Sequence, residues 1–122
     1  MNLSAVRIFV RDLEPAKRFY ERVLGLHLSH DGSAYGYCVF QSSGIRVLVE
    51  TVAPDAPQDE QVLVRRFAGL SFGVGNIASE YSRLLEAGVE FTGQPEKQFW
   101  GGWLATFRDP AGNELQLVQD EA

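Results

Sequence analysis

Apolar residues alternate with others through LSAVRIFV at 3–10, and that two-residue period predicts a strand. Val6, Ile8 and Val10 share one of its faces, and Ala5, Arg7 and Phe9 share the other. The period then lengthens. Asp12 sits at an N-cap position with Pro15 in the first turn, and Ala16, Phe19, Tyr20, Val23 and Leu24 recur at helical spacing until Gly25 ends the helix. Short strands are expected at about 26–30 and 35–42, then a turn at Ser42-Ser43-Gly44 and a further strand at 45–50. Residues 53–61, with two prolines and three acids, read as an exposed connector.

After the connector the first theme returns. Leu70, Phe72 and Val74 mark a strand, Asn76 an N-cap, and Ile77, Tyr81, Leu84 and Leu85 a helix that stops at Gly88. One offset of 64 residues separates both Val10 from Val74 and Asp12 from Asn76. The chain is therefore an internal duplication of a strand–helix–strands unit. Module one covers about 1–52, a linker about 53–66 and module two about 67–122. Each half is too small to bury its helix alone, so the two are expected to pack as a single domain spanning 1–122. Near the end, Asp109-Pro110-Ala111-Gly112-Asn113 forms a tight turn. The strand after it sets Leu115 and Leu117 against Glu114 and Gln116.

Parity sorts the first and last strands of each half into two faces. The apolar set (Val6, Ile8, Val10; Ile45, Val47, Val49; Leu70, Phe72, Val74; Leu115, Leu117) belongs against the helices. The other set is Ala5, Arg7, Phe9; Arg46, Leu48, Glu50; Gly69, Ser71, Gly73; and Glu114, Gln116, Val118. Such a mixed face either meets water, as antiparallel sheets often do, or lines a cavity in which small residues leave room.

Composition narrows the partners. The chain has 122 residues, 45% of them hydrophobic, and a net charge of −5. No basic cluster stands ready for phosphates, so nucleic acid is not an expected partner. No apolar run approaches the roughly 20 residues that cross a bilayer, so no membrane is expected. The start lacks the pattern of a signal peptide, and Cys38 has no second cysteine to pair with. A cytoplasmic protein is the expectation.

The stretches VRDLEPAKRFYERVLGL at 10–26, GNIASEYSRLLEAGV at 75–89 and FRDPAGNELQLV at 107–118 resemble the vicinal oxygen chelate superfamily, the group of glyoxalase I, bleomycin-resistance proteins and extradiol dioxygenases. The resemblance implies an α+β fold of two tandem βαβββ modules, whose curved mixed sheets form a U-shaped cleft, in a protein that is usually a homodimer. Metal enzymes of this group take one ligand from each of four strands. The matching positions are Ala5, Glu50, Gly69 and Gln116, all on the mixed face. Only Glu50 is a strong ligand type, and His27 and His30 fall outside the pattern, as exposed strand or turn residues. A metal cofactor is therefore not expected.

Glu50 is the candidate catalytic base, unless Arg7 or Arg46 pairs with it and makes it structural. The two arginines are also candidates for holding a carboxylate or phosphate. Phe99, Trp100 and Trp103, around Gly101-Gly102, stand to close over a ligand or else to fill core or interface. Tyr35 and Tyr37 are further candidates for the cleft wall. The expected function is binding of a small organic ligand, to sequester or carry it, without a metal. The ligand-binding set is Arg7, Phe9, Arg46, Leu48, Glu50, Ser71, Trp100, Trp103 and Gln116. The alternative is a metal-dependent lyase, isomerase or dioxygenase of the glyoxalase type.

Overall fold

The computed structural model describes residues 1–121. It resolves into two compact units that divide between Arg66 and Phe67. In the first, β1 (Ala5–Val10) leads to α1 (Leu13–Arg18), which runs on as a π-turn (Phe19–Val23). Then come β2 (His27–Gly32), a 3-10 turn (Ser33–Tyr35), β3 (Tyr37–Ser42), β4 (Ile45–Thr51) and the four-residue α2 (Gln58–Gln61). The second holds β5 (Phe67–Gly73), α3 (Ile77–Glu86), β6 (Glu90–Phe91), β7 (Glu96–Lys97), β8 (Trp103–Arg108) and β9 (Glu114–Gln119).

The two units share one topology. The first sheet runs β1-β4-β3-β2; the second runs β5-β9-β8-β6, with β7 also on β8. In each, the first strand lies parallel to the last, and the remaining pairs are antiparallel. The protein is thus an α+β fold with two open mixed sheets. The helix of each unit carries the chain from one sheet edge toward the other, as a crossover must.

Each helix covers most of the apolar parity set, but Ile45, at the first position of β4, stays exposed. Leu13, Ala16, Phe19 and Tyr20 of the first helix are buried, as are Ile8, Val10, Val47, Val49, Cys38 and Phe40 of the sheet. The Tyr20 ring stands 5.3 Å from Phe19 and 5.9 Å from Phe40. Each such side chain, fully buried, contributes about 1.5–3 kcal/mol. In the second unit Ile77 and Leu84 are buried with Ala105, Phe107, Leu115 and Leu117. Asn76 caps α3 by accepting from the Ser79 N–H at 3.1 Å. Asp12 occupies the matching position in extended conformation, but its side chain makes no cap bond.

The connector is less free than its composition suggests. Val52 and Val64 are buried, and Val64 forms a parallel bridge with Phe9. The Gln61 amide donates to the carbonyls of Ala53 at 2.9 Å and Ala56 at 3.0 Å, and its oxygen accepts from Arg11. A glutamine in the midst of charged neighbours is the tie that hydropathy cannot reveal.

Two polar clusters pin the loops. Asp109 is 5% exposed and Asn113 1%. Asp109 Oδ1 accepts from the Ala111 and Asn113 N–H groups at 2.9 Å each, and Oδ2 accepts from Asn113 Nδ2 at 3.0 Å. Asp109→Ala strands these buried donors, and we expect a loss of about 3 kcal/mol in unfolding free energy with an unchanged urea m-value. In the first unit Lys17 Nζ lies 2.7 Å from Asp31 Oδ2, while Asp31 Oδ1 accepts from the Ser33 N–H at 3.0 Å and from the Ser33 hydroxyl. The buried Cys38 thiol faces the same carboxylate at 3.7 Å, and burial pushes its pKa up, so it stays a protonated thiol. The hydrogen bond from Lys17 first, and those from Ser33 next, hold Asp31 well below the usual carboxylate range. A depressed folded-state pKa adds stability that is fully present above the unfolded value of about 3.9 and is lost as the pH falls below it. The urea midpoints of the wild type and Asp31→Asn should therefore differ at neutral pH and converge below about pH 4.

Candidate functional site

In the first unit the strand registers set the mixed face residue against residue. Phe9 lies beside Glu50 and Glu50 beside Tyr37; Arg7 lies beside Leu48 and Leu48 beside Val39; Ala5 lies beside Arg46. On this frame Arg7 grips Glu50 with two hydrogen bonds, Nε to Oε2 at 2.7 Å and Nη2 to Oε1 at 2.8 Å. This is the fork geometry in which a guanidinium binds a carboxylate best. The Arg7 Cζ also stands 5.1 Å from the centre of the Phe9 ring. Glu50, through those hydrogen bonds first and its charge second, pushes the Arg7 pKa further up. Arg46 takes no part: its Nη2 donates to Ser4 Oγ at 2.6 Å and its Nε to the Ser4 carbonyl at 3.3 Å.

Beside the ion pair lies a hollow of about 380 Å³, walled by Arg7, Leu48, Glu50, Tyr35, Tyr37 and Thr51. Gly36, between the two tyrosines, shapes it. Its φ is +82°, and a Cβ there would sit 2.6 Å from the Thr51 hydroxyl, which itself donates to the Gly36 carbonyl at 3.1 Å. Only glycine meets both demands. Tyr35 projects from the 3-10 turn almost fully exposed, while Tyr37 lies on β3.

In the second unit Gln116 pairs with Ser71 on one side and Thr106 on the other, and its Nε2 donates to Thr106 Oγ1 at 3.2 Å. Arg108 bridges Glu90 at 2.7 Å and Glu114 at 3.1 Å. Trp103 does not join this face. It pairs with Gln119, one residue out of phase with Thr106, so it stands with Ala105 and Phe107 toward α3. Trp100 lies in the turn closed by Gln98 N–H donating to the Gly102 carbonyl at 2.8 Å, and its ring lies where a Gly102 side chain would be. Phe99, at the tip, is fully exposed.

The residues at the metal positions of the resemblance do not fit a divalent ion. Ala5 and Gly69 have no donor atom, the two Glu50 oxygens are engaged by Arg7, and Gln116 offers only a neutral carboxamide, whose nitrogen donates to Thr106. A bulge between Leu28 and His30 turns His27 and His30 to the same side, beside Gln41 and Val39. Even so, no group of three or more His, Cys, Asp or Glu able to hold an ion occurs among the described residues. No helix among them is long and apolar enough to cross a membrane.

Arg7, Phe9, Leu48 and Glu50 are thus brought together in the first unit, and Ser71 and Gln116 in the second. Tyr35 and Tyr37 were visible as candidates, but parity alone did not assign them a face. Thr51 and Gly36 gave no signal beyond a glycine between two rings.

A model of the Glyoxalase/Bleomycin resistance protein/Dioxygenase superfamily matches residues 2–117. The chain is 32% identical over 127 aligned residues to the uncharacterized protein YurT of Bacillus subtilis strain 168, covering 98% of this chain and 99% of that one. A superfamily member from Sphaerobacter thermophilus DSM 20745 shares 28% identity with a TM-score of 0.78, covering 98% of both chains. TnmS3, an antibiotic binding protein from Streptomyces sp. CB03234, shares 27% identity with a TM-score of 0.74, covering 99% of this chain and 97% of that one.

The Arg7 side chain is 58% exposed and that of Glu50 23%. A pair so open to water adds little stability. A double-mutant cycle of Arg7→Ala and Glu50→Ala, read by chemical unfolding, should give a coupling of about 0.5–1 kcal/mol.

Proposed function

The chain belongs to that superfamily, and from this premise we propose that it binds a small organic molecule on the mixed face, without a metal ion, to sequester or carry it. The observation that carries the reading is the two-point grip of Arg7 on Glu50 beside a hollow walled by two tyrosines. Where a metal enzyme would present a free carboxylate, this chain presents a neutralised pair. Arg7 keeps N–H donors that Glu50 does not use, while Tyr35 and Tyr37 offer rings for stacking. A charge already matched by Glu50 gives little attraction to a bare anion. The ligand is therefore a flat, hydrogen-bonding molecule of low net charge. The likeness to an antibiotic binding protein supports the same reading. The resemblance further supports a homodimer, and a single cysteine with no second one to pair with supports the cytoplasm.

Two measurements test this. Metal analysis of the purified protein should find no stoichiometric divalent ion, and a thermal-shift screen of flat antibiotics should give saturable stabilisation without turnover. Arg7→Ala should then weaken the ligand by about 1.5–3 kcal/mol, with a smaller loss for Arg46→Ala, whose guanidinium is turned to Ser4. A tightly held metal together with product formation would instead make the protein a glyoxalase-type enzyme.

A further inference from the structure

A further hollow of the second unit lies on the other side of its sheet, between α3 and the strands beneath it. It measures about 520 Å³, within the range that suits drug-sized ligands. Tyr81, Pro95 and Trp103 form its walls, with Asn76, Gln94 and Gln119 among its polar groups. Tyr81 is held edge-on against Phe91 at 4.7 Å, so one aromatic wall is set in advance. Trp103 belongs here because β8 turns it away from Gln116.

The chemistry of the lining is unusual for this chain. Every residue around the hollow is uncharged, although 22% of the sequence is Asp, Glu, Lys or Arg. Nor does the start of α3 offer an anion site. The Ile77 N–H donates to Gln119 Oε1 at 2.7 Å and the Ser79 N–H to Asn76 Oδ1 at 3.1 Å, so side chains already occupy those donors. With its oxygen accepting from Ile77, Gln119 has only amide N–H donors to offer a guest that brings an acceptor. We propose that this hollow is a second binding site, separate from the mixed face, which takes a neutral planar aromatic molecule carrying a carbonyl group. The rings grip the plane, the carboxamides fix its orientation, and the lack of any compensating charge excludes ionised relatives, whose desolvation nothing there would offset.

Coumarin and coumarin-3-carboxylate, a neutral lactone and its anionic counterpart, are suitable probes. The chain has two tryptophans, so a ¹H–¹⁵N spectrum shows two indole signals, which Trp100→Phe assigns. Coumarin should shift the Trp103 signal saturably and leave that of Trp100 in place, and the carboxylate should bind at least tenfold more weakly. Ser82→Phe, at an exposed position on the rim, should abolish the shift, as should the charge introduced by Ala78→Glu at another exposed position. The Trp100 signal reports that each variant is folded. Arg7→Ala should leave the coumarin-induced shift of the Trp103 signal unchanged, which separates this site from the one proposed on the mixed face. A Trp103 signal that does not move, equal binding of the carboxylate, or a shift that survives both rim variants would overturn the proposal.

Discussion

Pairing of each unit's first strand with its last holds the mixed faces together. Arg7 and Glu50 are 43 residues apart in sequence, and they meet only because β1 lies parallel to β4 in a fixed register. A slip of one residue would turn Arg7 toward the helix and Ile8 toward water. That slip is forbidden by the packing on the reverse side, where Ile8, Val10, Val47 and Val49 lie under Tyr20 and Phe19. The polar geometry of one face is therefore fixed by the apolar packing of the other.

This dependence explains what could be read in advance. Alternation is a property of single strands, and it separated Val47 and Val49 from Leu48 and Glu50 without any knowledge of partners. The 64-residue echo gave the second unit its strand and helix. Which arginine reaches Glu50 was half legible: Arg46 shares β4 with Glu50 and lies four residues away, about 13 Å along a strand, whereas Arg7 reaches it only through the register of β1 on β4, which single-strand alternation does not give. Trp103 was obscured for a similar reason. The strand that carries it starts just after a glycine pair, so nothing fixed its phase, and a one-residue choice moved it from one side of the sheet to the other.

The glyoxalase-type scaffold carries very different sites on one backbone. Here two of the four strand positions implied for metal ligands, Ala5 and Gly69, carry no donor atom. At the other two, Arg7 engages both Glu50 oxygens and the Gln116 amide donates to Thr106. What remains on offer is a set of directed N–H donors, aromatic edges and small hollows, which suits recognition more than Lewis-acid chemistry.

The bulge in β2 has a bearing on how the molecule behaves in a crowd. β2 is an outer strand of its sheet, and the backbone groups on one side of it have no partner strand within that sheet. A straight border of that kind invites a neighbour's strand to zip on, and the end state of such zipping is fibre. The extra residue at Leu28–His30 breaks the regular spacing of those groups, and Asp31, tethered to Lys17, places charge next to the break. An irregular border of this kind is a poor template for such zipping, so ironing it flat should yield a protein more prone to precipitate.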